Sequence, residues 1–197
     1  MIRFRCVRPE DASDLADIYA PFVRDTAVSF EFVPPAAGEM AARIREITAL
    51  YPWIVCEADG KMAGYAYASA LHKRPAYGWN AELSLYLSPA FHRRGIGSAL
   101  LQALLELLRM QGFQYAYACI TASNDGSIRL HRRFGFEPVG RFPRAGYKGG
   151  AWHDVLWLAR PLNGEGNDGE PSPVRPLPSL PEAETTRLLE RWAATCR

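Results

Sequence analysis

The sequence predicts an α/β domain built on a mixed β-sheet, and three observations carry this prediction. Segments of strand-like sequence stand at both ends of residues 1–162, with amphipathic helical segments between them. The chain of 197 residues is 48% apolar and 22% charged, which is enough to bury a sizeable core and excludes disorder along most of its length. Residues 163–181 contain five prolines, three glycines and no aromatic residue, as a solvated linker does, so we expect the domain to end near Leu162.

The first half of the domain alternates strands with helices. Pro9, Glu10 and Asp11 open a helix, since proline and acidic residues are favoured in a first turn. Asp59-Gly60 between two apolar runs predicts the turn of a β-hairpin. In this half we predict strands over residues 2–7, 53–57, 62–69 and 81–87, and helices over residues 9–22 and 37–50.

The helix over residues 95–111 is the clearest element of the sequence. Leu100, Leu104 and Leu108 recur at helical spacing opposite a polar stripe, and Gly112 follows where a left-handed cap would end the helix. After it we predict strands over residues 115–120, 139–145 and 151–159 and a helix over residues 125–133, for six to seven strands and about four helices in all. Residues 182–197 are expected to form one short helix or a disordered tail.

Charge and cysteine content disfavour several classes of protein. With 23 basic and 21 acidic residues the net charge is +2, so we expect no nucleic-acid partner. No apolar run approaches the roughly 18 residues of a membrane span, and no apolar signal region stands at the start, so we expect a cytoplasmic protein without a membrane partner. The four cysteines are scattered without a CxxC pair, which predicts buried reduced thiols and neither a disulfide nor a metal site.

The segment between the strand at 81–87 and the long helix has the composition of a phosphate site. The glycine loop, residues 92–98, places Gly95 and Gly97 at a helix N-terminus, where main-chain N–H groups lack partners and the helix dipole is positive. Arg93 and Arg94 add positive charge. The spacing is that of neither a Walker loop nor a Rossmann loop, so glycines that only ease the turn are the alternative.

Here the chain resembles the GNAT acetyltransferase superfamily, whose pyrophosphate signature is Gln/Arg-x-x-Gly-x-Gly/Ala after the fourth strand. His92 stands at the first signature position, a departure that matters little because main-chain N–H groups make most of the family's pyrophosphate contacts. Asn124 and the ending Phe134-Gly135-Phe136 match later family features. The phosphinothricin / methionine sulfoximine N-acetyltransferase branch is similar at residues 29–35, 51–53, 72–77, 82 and 152–155.

The resemblance implies a GNAT fold whose mixed, mostly antiparallel sheet is splayed between its fourth and fifth strands, so that acetyl-CoA enters the gap. It implies an N-acetyltransferase that acetylates the α-amine of a small amino acid analogue by direct attack in a ternary complex, as a homodimer and without a metal. The strand would bind the pantetheine arm and, near Leu87, aim an N–H at the acetyl carbonyl. The implied cofactor-binding residues are Leu85, Tyr86, Leu87, Arg93, Arg94, Gly95, Ile96, Gly97, Ser98, Asn124 and Arg133.

Two residues are candidates for proton transfer. Glu82 would accept the amine proton directly or through water, and the alternative is an ordinary strand carboxylate. His131 stands where many relatives place a tyrosine that protonates the leaving thiolate, and the alternative is a histidine packed between helix and sheet. For Tyr86 a core ring, and for Arg133 an exposed helix arginine, are the corresponding alternatives.

The amine-binding side is implied by the same resemblance. Arg74 would bind an anionic group of the substrate in bidentate fashion. Phe30 and Phe32 either form walls of the pocket or belong to the core. After Tyr77, the residues Gly78-Trp79-Asn80 depart from the Arg-x-Thr expected in the branch, and this departure removes a cation. The implied acceptor-binding residues are Phe30, Phe32, Arg74, Pro75, Ala76 and Tyr77.

Three other functions stay open on the sequence. A polyamine, an aminoglycoside or a protein amine is an alternative acceptor, although residues 72–74 are basic and a cationic acceptor favours an acidic cleft. A non-catalytic acyl-CoA-binding module would need no proton acceptor, so Glu82 argues against it. Residues 163–197 could instead bind a partner, and their deletion would then spare turnover and folding.

Overall fold

A seven-stranded sheet runs through the computed structural model, which describes residues 1–163 and 169–197. The strands are β1 (Ile2–Cys6), β2 (Trp53–Ala58), β3 (Lys61–Ala70), β4 (Asn80–Leu87), β5 (Tyr115–Thr121), β6 (Glu137–Lys148) and β7 (Ala151–Pro161). They lie in the order β1-β2-β3-β4-β5-β7-β6, and each neighbouring pair is antiparallel except β4 and β5, which are parallel. The predicted mixed, mostly antiparallel α/β sheet is confirmed.

Five α-helices lie in the described ranges, namely α1 (Ala12–Asp25), α2 (Ala37–Thr48), α3 (Ile96–Gln111), α4 (Asp125–Arg133) and α5 (Glu182–Ala193). The helix predicted over residues 9–22 begins with a 3-10 turn over Pro9–Asp11 and continues as α1. Gly95 and Gly112 bound α3 with φ of 82° and 96°, the left-handed conformation that glycine adopts without strain. The local signals therefore identified the seven strands and the first four α-helices, with ends shifted by a few residues, and of the two expectations for residues 182–197 the helix is the one observed.

The parallel pairing of β4 with β5 is short. It runs from Asn80 opposite Tyr115 to Glu82 opposite Tyr117 and then stops, while β5 continues to pair with β7 up to Thr121. Residues 83–87 of β4 pair with β3 on one side and with no strand on the other. The expected splay between the fourth and fifth strands is present, and it leaves main-chain groups of β4 without a sheet partner.

The core has two halves, one on each face of the sheet. On one face the leucines of α3, such as Leu104 and Leu108, are fully buried against small strand residues, such as Ala66 and Ala118. Alanines on the strands let α3 lie close to the sheet, so that the start of this helix sits beside the gap. On the other face α1 and α2 cover Trp53 and the neighbouring aromatic residues of β3.

Helix α5 is part of the first half of the core. Leu188 and Leu189 are buried in the same cluster as the α3 leucines, together with Leu180 just before the helix. Burying three leucines contributes roughly 1.5–3 kcal/mol for each side chain. A tail whose deletion leaves folding unchanged does not fit this arrangement, because removing α5 would expose the α3 side of the core.

The proline-rich segment before α5 is extended, but its described part, residues 169–181, is tied to the domain. The buried Gln111 donates from Nε2 to the carbonyl oxygens of Leu50 (2.6 Å) and Arg175 (2.7 Å). Trp79 donates from Nε1 to the carbonyl oxygen of Ser172 at 2.9 Å. The high proline and glycine content predicts a solvated linker. Composition alone does not reveal these hydrogen-bond partners, because they lie far away in the sequence. Residues 164–168 of the predicted linker lie outside the described residues.

All four cysteines are free thiols. Cys56 is buried but Cys119 is exposed, so the expectation of uniformly buried thiols is corrected. Across the described residues no three His, Cys, Asp or Glu side chains are grouped to hold a metal ion. Nor is any helix in those ranges long and apolar enough to cross a membrane.

The contribution of α5 to stability can be measured with Leu189→Ala. We expect the free energy of unfolding to fall by about 2–5 kcal/mol, because the substitution removes buried methyl groups and leaves a cavity against α3. Urea unfolding followed by circular dichroism gives the value. Arg187→Ala on the exposed side of the same helix is the control, with an expected change within about 0.5 kcal/mol. Equal stability of the two variants would mean that α5 does not contribute to the core.

Candidate functional site

The gap between β4 and β5 forms a slot with one closed and one open end. Glu82 and Tyr117, the last paired residues, stand at the closed end. At about 3.3 Å per residue, the unpaired edge over residues 83–87 is about 13 Å long. It contains the predicted Leu85, Tyr86 and Leu87 and ends beside the glycine loop. The slot therefore joins the glycine loop to Glu82.

The glycine loop turns the chain from β4 into α3 through left-handed residues. Arg93 has φ of 62° and Gly95 has φ of 82°. The first helical main-chain bond runs from Ala99 N–H to the Gly95 carbonyl oxygen (3.0 Å). The N–H groups of residues 96–98 before it have no partner within the helix and carry the positive end of its dipole. This arrangement can bind an anion such as a phosphate.

The surroundings of Gly97 distinguish the two explanations for the glycines of this loop, which are a ligand site and glycines that only ease the turn. A Cβ on Gly97 would lie 3.8 Å from Leu130 and 4.0 Å from Leu85, which are ordinary contacts, and its backbone is helical. The fold therefore does not need glycine here, although glycine in a helix costs about 0.5–1 kcal/mol relative to alanine. Since Leu85 lies on the unpaired edge of β4, the missing side chain keeps the mouth of the slot open.

Two side chains of the loop are engaged by the protein itself. His92 donates from Nε2 to the Leu87 carbonyl oxygen (3.1 Å) and so fastens the loop to the end of β4. Arg94 donates to the Asp59 carboxylate (2.7 Å) and to the Arg197 carbonyl oxygen (2.8 Å). The Arg94 guanidinium and the N-terminal amine lower the pKa of Asp59. From the sequence, Arg93 and Arg94 are expected to contribute equal positive charge to the loop. In the structure, Asp59 neutralises Arg94.

Asn124 and Arg133 stand at the two ends of α4. Asn124 Oδ1 accepts a bond from Ser127 N–H (3.2 Å) and caps the helix, which leaves its Nδ2 without a partner in the described parts of the chain. Arg133 lies over the Phe134 ring at 5.8 Å and lines a cavity of about 420 Å³ together with Arg93 and Ser98. The structure thus brings Arg133 close to the glycine loop, and its side chain is exposed there, as the alternative of an exposed helix arginine also expects.

Glu82 carries the chemistry of a proton acceptor. Its side chain is half-buried, and burial raises the pKa of its carboxyl group. No cation or hydrogen-bond donor contacts the carboxylate in residues 1–163 or 169–197. Glu82 is therefore a carboxylate at the closed end of the slot whose raised pKa makes it a better proton acceptor than an exposed glutamate.

His131 is a packed histidine. It is 5% exposed, lies edge-on to the Phe136 ring at 5.0 Å, and its Nδ1–H donates to the Ser127 carbonyl oxygen (2.9 Å). Burial lowers the pKa of the imidazole. The proton that the neutral ring keeps on Nδ1 is bound to the Ser127 carbonyl oxygen, and a neutral imidazole N–H is too weak an acid to protonate a leaving thiolate readily. The structure therefore favours the alternative in which His131 is part of the packed interior.

Three aromatic residues of the predicted site differ in burial. The Tyr86 ring contacts Tyr19 edge-on at 4.8 Å, and burial raises the pKa of its hydroxyl well above the usual range, so only its main chain faces the slot. Phe30 covers Gly146, where an added Cβ would lie 2.4 Å from the ring. Phe32 is 75% exposed, so its interpretation as a core residue is wrong.

The predicted acceptor loop projects from the closed end of the slot. It follows Ala70, which pairs with Ala81 next to Glu82. Residues 75–77 form an exposed 3-10 turn, and Arg74 just before it is exposed, with no ion-pair partner in the described part of the chain. The exposed turn holds the predicted Pro75, Ala76 and Tyr77. Trp79, at the departure from the branch motif, binds the main chain of Ser172 instead of adding a cation to the loop.

A hydrogen-bond network that sequence reasoning missed fastens the loop between α1 and α2. Tyr19 and Ser29 share a bond of 2.6 Å between their hydroxyl groups, and Arg43 donates to Glu31 at 2.8 Å. Lys148, buried at the end of β6, donates to the Ser29 carbonyl oxygen. The sequence indicates that residues 29–35 form a motif. It does not indicate their hydrogen-bond partners, because these lie on α1, α2 and β6, far from the motif in the sequence.

Comparisons with known proteins agree with this geometry. The family described as Acetyltransferase (GNAT) domain matches residues 4–157. Phosphinothricin N-acetyltransferase of Streptomyces viridochromogenes is 36% identical over 177 residues, which cover 88% of this chain and 95% of that protein. An L-methionine sulfoximine/L-methionine sulfone acetyltransferase of Pseudomonas paraeruginosa is 38% identical over 109 residues, or 55% of this chain and 63% of that protein.

The solved structures agree as well. The crystal structure of a GNAT superfamily phosphinothricin acetyltransferase from Sinorhizobium meliloti, in complex with acetyl-CoA, superposes with a TM-score of 0.82. The two chains are 38% identical, and the match covers 87% of this chain and 93% of the other.

The packed state of His131 has a consequence for stability at mildly acidic pH. The unfolded chain binds a proton at this residue near the usual pKa of 6.5, whereas the folded chain resists protonation. The free energy of unfolding is therefore expected to fall as the pH drops from 6.5 toward the lowered pKa. Urea unfolding between about pH 5 and pH 7.5 measures this slope.

His131→Gln removes the titration and serves as the matched variant. We expect it to flatten the slope, whatever its effect on stability at neutral pH. Parallel slopes for the two proteins would show that His131 titrates alike in the folded and unfolded chains.

Proposed function

The chain belongs to the GNAT acetyltransferase family, as its motifs indicate, and we propose that it transfers the acetyl group of acetyl-CoA to the α-amine of a small amino acid analogue. One observation carries the proposal: the unpaired edge of β4 leads from a helix N-terminus to a carboxylate with a raised pKa. The names of the relatives support an acceptor of the phosphinothricin or methionine sulfoximine type.

We assign the diphosphate of acetyl-CoA to the glycine loop. The N–H groups of Ile96, Gly97 and Ser98 are donors at the positive end of α3, and the Arg93 guanidinium, which has no ion-pair partner in the described part of the chain, adds charge. The Gly95 backbone, with φ of 82°, sets the turn that aims these donors. The main-chain amide of Arg94 belongs to the same set, while its side chain fastens the loop.

We assign the pantetheine arm to the slot. Its amide groups would replace the missing strand beside residues 83–87, with further donors from Asn124 Nδ2 on the opposite side. Leu87 lies at the glycine-loop end, about 16 Å along the strand from Glu82. The N–H group that polarises the acetyl carbonyl must stand near the attacking amine, so we assign it to residues 83–85 rather than to Leu87.

In the proposed reaction the thioester supplies the activated acetyl group, and this chain supplies position and a proton acceptor. Glu82 takes the proton from the substrate ammonium group, which leaves the amine lone pair available for direct attack on the carbonyl. The C–N bond forms and the C–S bond breaks, so that coenzyme A leaves as its thiolate, and the second proton lost by the nitrogen balances the protonation of that thiolate through water. The neutral His131 is not assigned to the thiolate. A raised pKa makes Glu82 a stronger base than an exposed glutamate, and no nearby cation offsets this effect.

We assign the carboxylate or the oxygen-bearing head group of the substrate to Arg74. This exposed guanidinium stands on the loop that leaves the closed end of the slot, close in the fold to Glu82. Tyr77, edge-on to His72 at 4.7 Å, would border the same pocket. A basic loop suits an anionic amino acid analogue better than a polyamine or an aminoglycoside.

We further propose a cytoplasmic homodimer. Strand β6 is the last of the sheet and is exposed along nearly its whole length, with Val139 at 59%, Phe142 at 55% and Tyr147 at 54% exposure. Trp152 on the neighbouring strand is 51% exposed. A long apolar edge of this kind is usually covered, and a second copy of the chain would cover it. The four free thiols support a reducing compartment.

The role of Glu82 is tested with Glu82→Gln. We expect kcat to fall by about 10²–10⁴-fold, because the amide cannot accept the amine proton, while KM for acetyl-CoA changes less than about twofold. Thiol release from acetyl-CoA with phosphinothricin, methionine sulfone and a diamine as acceptors measures both constants. Glu46→Gln, an exposed residue of α2, is the control, and its kcat should match the unchanged protein.

The pH profile separates a base from a residue that only supports the fold. For the unchanged protein kcat/KM should rise with pH through the raised pKa of Glu82, and Glu82→Gln should lose this rise. A variant as active as the unchanged protein would refute the assignment. Binding of acetyl-CoA without turnover of any amine would instead support an acyl-CoA-binding module.

The open mouth of the slot is tested with Gly97→Val. We expect the dissociation constant for acetyl-CoA to rise at least about tenfold, since the larger side chain fills the space beside Leu85 and Leu130. Gly97→Ala is the matched control, because a Cβ fits there and alanine also satisfies the signature. It should bind within about twofold and be more stable by about 0.4–1 kcal/mol. Unweakened binding by Gly97→Val, measured by calorimetry on a protein of normal Tm, would contradict the assignment of the slot.

A further inference from the structure

The cavity of about 420 Å³ beside the glycine loop has an unexpected wall. One side consists of Arg93 and Ser98 from the loop and the first turn of α3, and a second side of Arg133 at the end of α4. The third side is the C-terminal segment, residues 192–197, which contributes Trp192 and Arg197. The match to the GNAT family ends at residue 157, so it assigns no role to this segment.

The C-terminal segment is fastened directly to the glycine loop. Arg197 N–H donates to the Arg94 carbonyl oxygen (3.0 Å), and Arg94 Nε donates back to the Arg197 carbonyl oxygen (2.8 Å). A Cβ on Gly95 would lie 3.8 Å from the Thr195 carbonyl oxygen, so the two main chains pass close together. Arg94 in turn is held by Asp59, which connects both to the β2–β3 turn. The loop therefore rests on this segment.

Three cations around the cavity lack an acidic partner. Within the described ranges, the guanidinium groups of Arg93, Arg133 and Arg197 form no salt bridge, whereas Arg94 is paired with Asp59. Like charges converging on one cavity repel each other unless an anion is bound between them, and arginine suits phosphate oxygens in particular.

The cavity also offers aromatic surface. The rings of Phe134 and Trp192 line it, and the buried Trp192 Nε1 has no acceptor among the residues that the structure describes. Cations and aromatic rings together suit a ligand that joins phosphate groups to a flat base. The end of coenzyme A beyond its diphosphate, adenosine with a 3′-phosphate, has this chemistry.

We propose that the C-terminal segment is a wall of the coenzyme site and that Arg197 binds the 3′-phosphate of coenzyme A. The inference rests on the proposed assignment of the diphosphate to the glycine loop, because the cavity adjoins that loop. Arg197 acts through its guanidinium group, and the main-chain bonds of the segment to Arg94 hold the loop in position.

Calorimetric titration with coenzyme A and with 3′-dephospho-coenzyme A tests the role of Arg197. For Arg197→Ala we expect the dissociation constant of coenzyme A to rise about 10- to 100-fold, and that of the dephosphorylated form to stay within about twofold. In turnover, KM for acetyl-CoA should rise while kcat is unchanged. Arg187→Ala, which removes an exposed arginine of α5 away from the cavity, is the control and should bind both ligands normally.

A chain ending at Ala194 tests the wall itself. It loses the bonds of Arg197 to the glycine loop as well as the guanidinium group, so we expect weaker binding of both ligands. Unchanged binding by this shortened chain would overturn the proposal. So would an equal loss of affinity for both ligands in Arg197→Ala, or no loss for either. Failure of the unchanged protein to bind coenzyme A would refute the proposed function instead.

Discussion

The early end of the β4–β5 pairing is the constraint on which the rest of the structure depends. Three residue pairs hold the strands together, and beyond Glu82 they separate, while β5 stays paired with β7 on its other side. A strand edge inside a protein needs hydrogen-bond partners, since an unpaired main-chain group away from water costs free energy. Residues 83–87 thus require water or a ligand, and the amides of a pantetheine arm would meet that requirement.

Residues 169–197 contact α3 at both of its ends. Gln111 at the end of the helix binds the main chain of Arg175, and Arg94 just before its start binds the main chain of Arg197. Between these two points α5 lies along α3 and shares its core. The sequence predicts a linker and a short helix or tail for this segment. In the structure the segment binds both ends of α3, whose N-terminus is the proposed phosphate site. If the glycine loop binds the diphosphate as proposed, folding of the C-terminal region and binding of coenzyme are coupled through these hydrogen bonds.

The sequence predicted what depends on neighbours along the chain. The leucine stripe of α3, the hairpin turn at Asp59-Gly60 and the glycine loop are local patterns, and all three have the predicted form. The packed state of His131 and the exposure of Phe32 were not predictable in this way, because each depends on which surface another element covers. The same holds for Trp79, whose partner lies 93 residues away. Long-range contacts of this kind follow from the assembled sheet alone.

Positive and negative charges lie at opposite ends of the slot, and this separation suits the proposed role of each end. The unpaired arginines stand around the glycine loop, whereas Glu82 stands alone at the closed end, with an unpaired strand edge of about 13 Å between them. An arginine beside Glu82 would stabilise its charged form and lower its pKa, which would weaken it as a base. A carboxylate beside the loop would in turn compete with phosphate, and Asp59 avoids this by pairing with Arg94. In the proposed complex the same separation would fix the direction of the coenzyme, since its polyanionic end would be attracted to one end of the slot and repelled from the other.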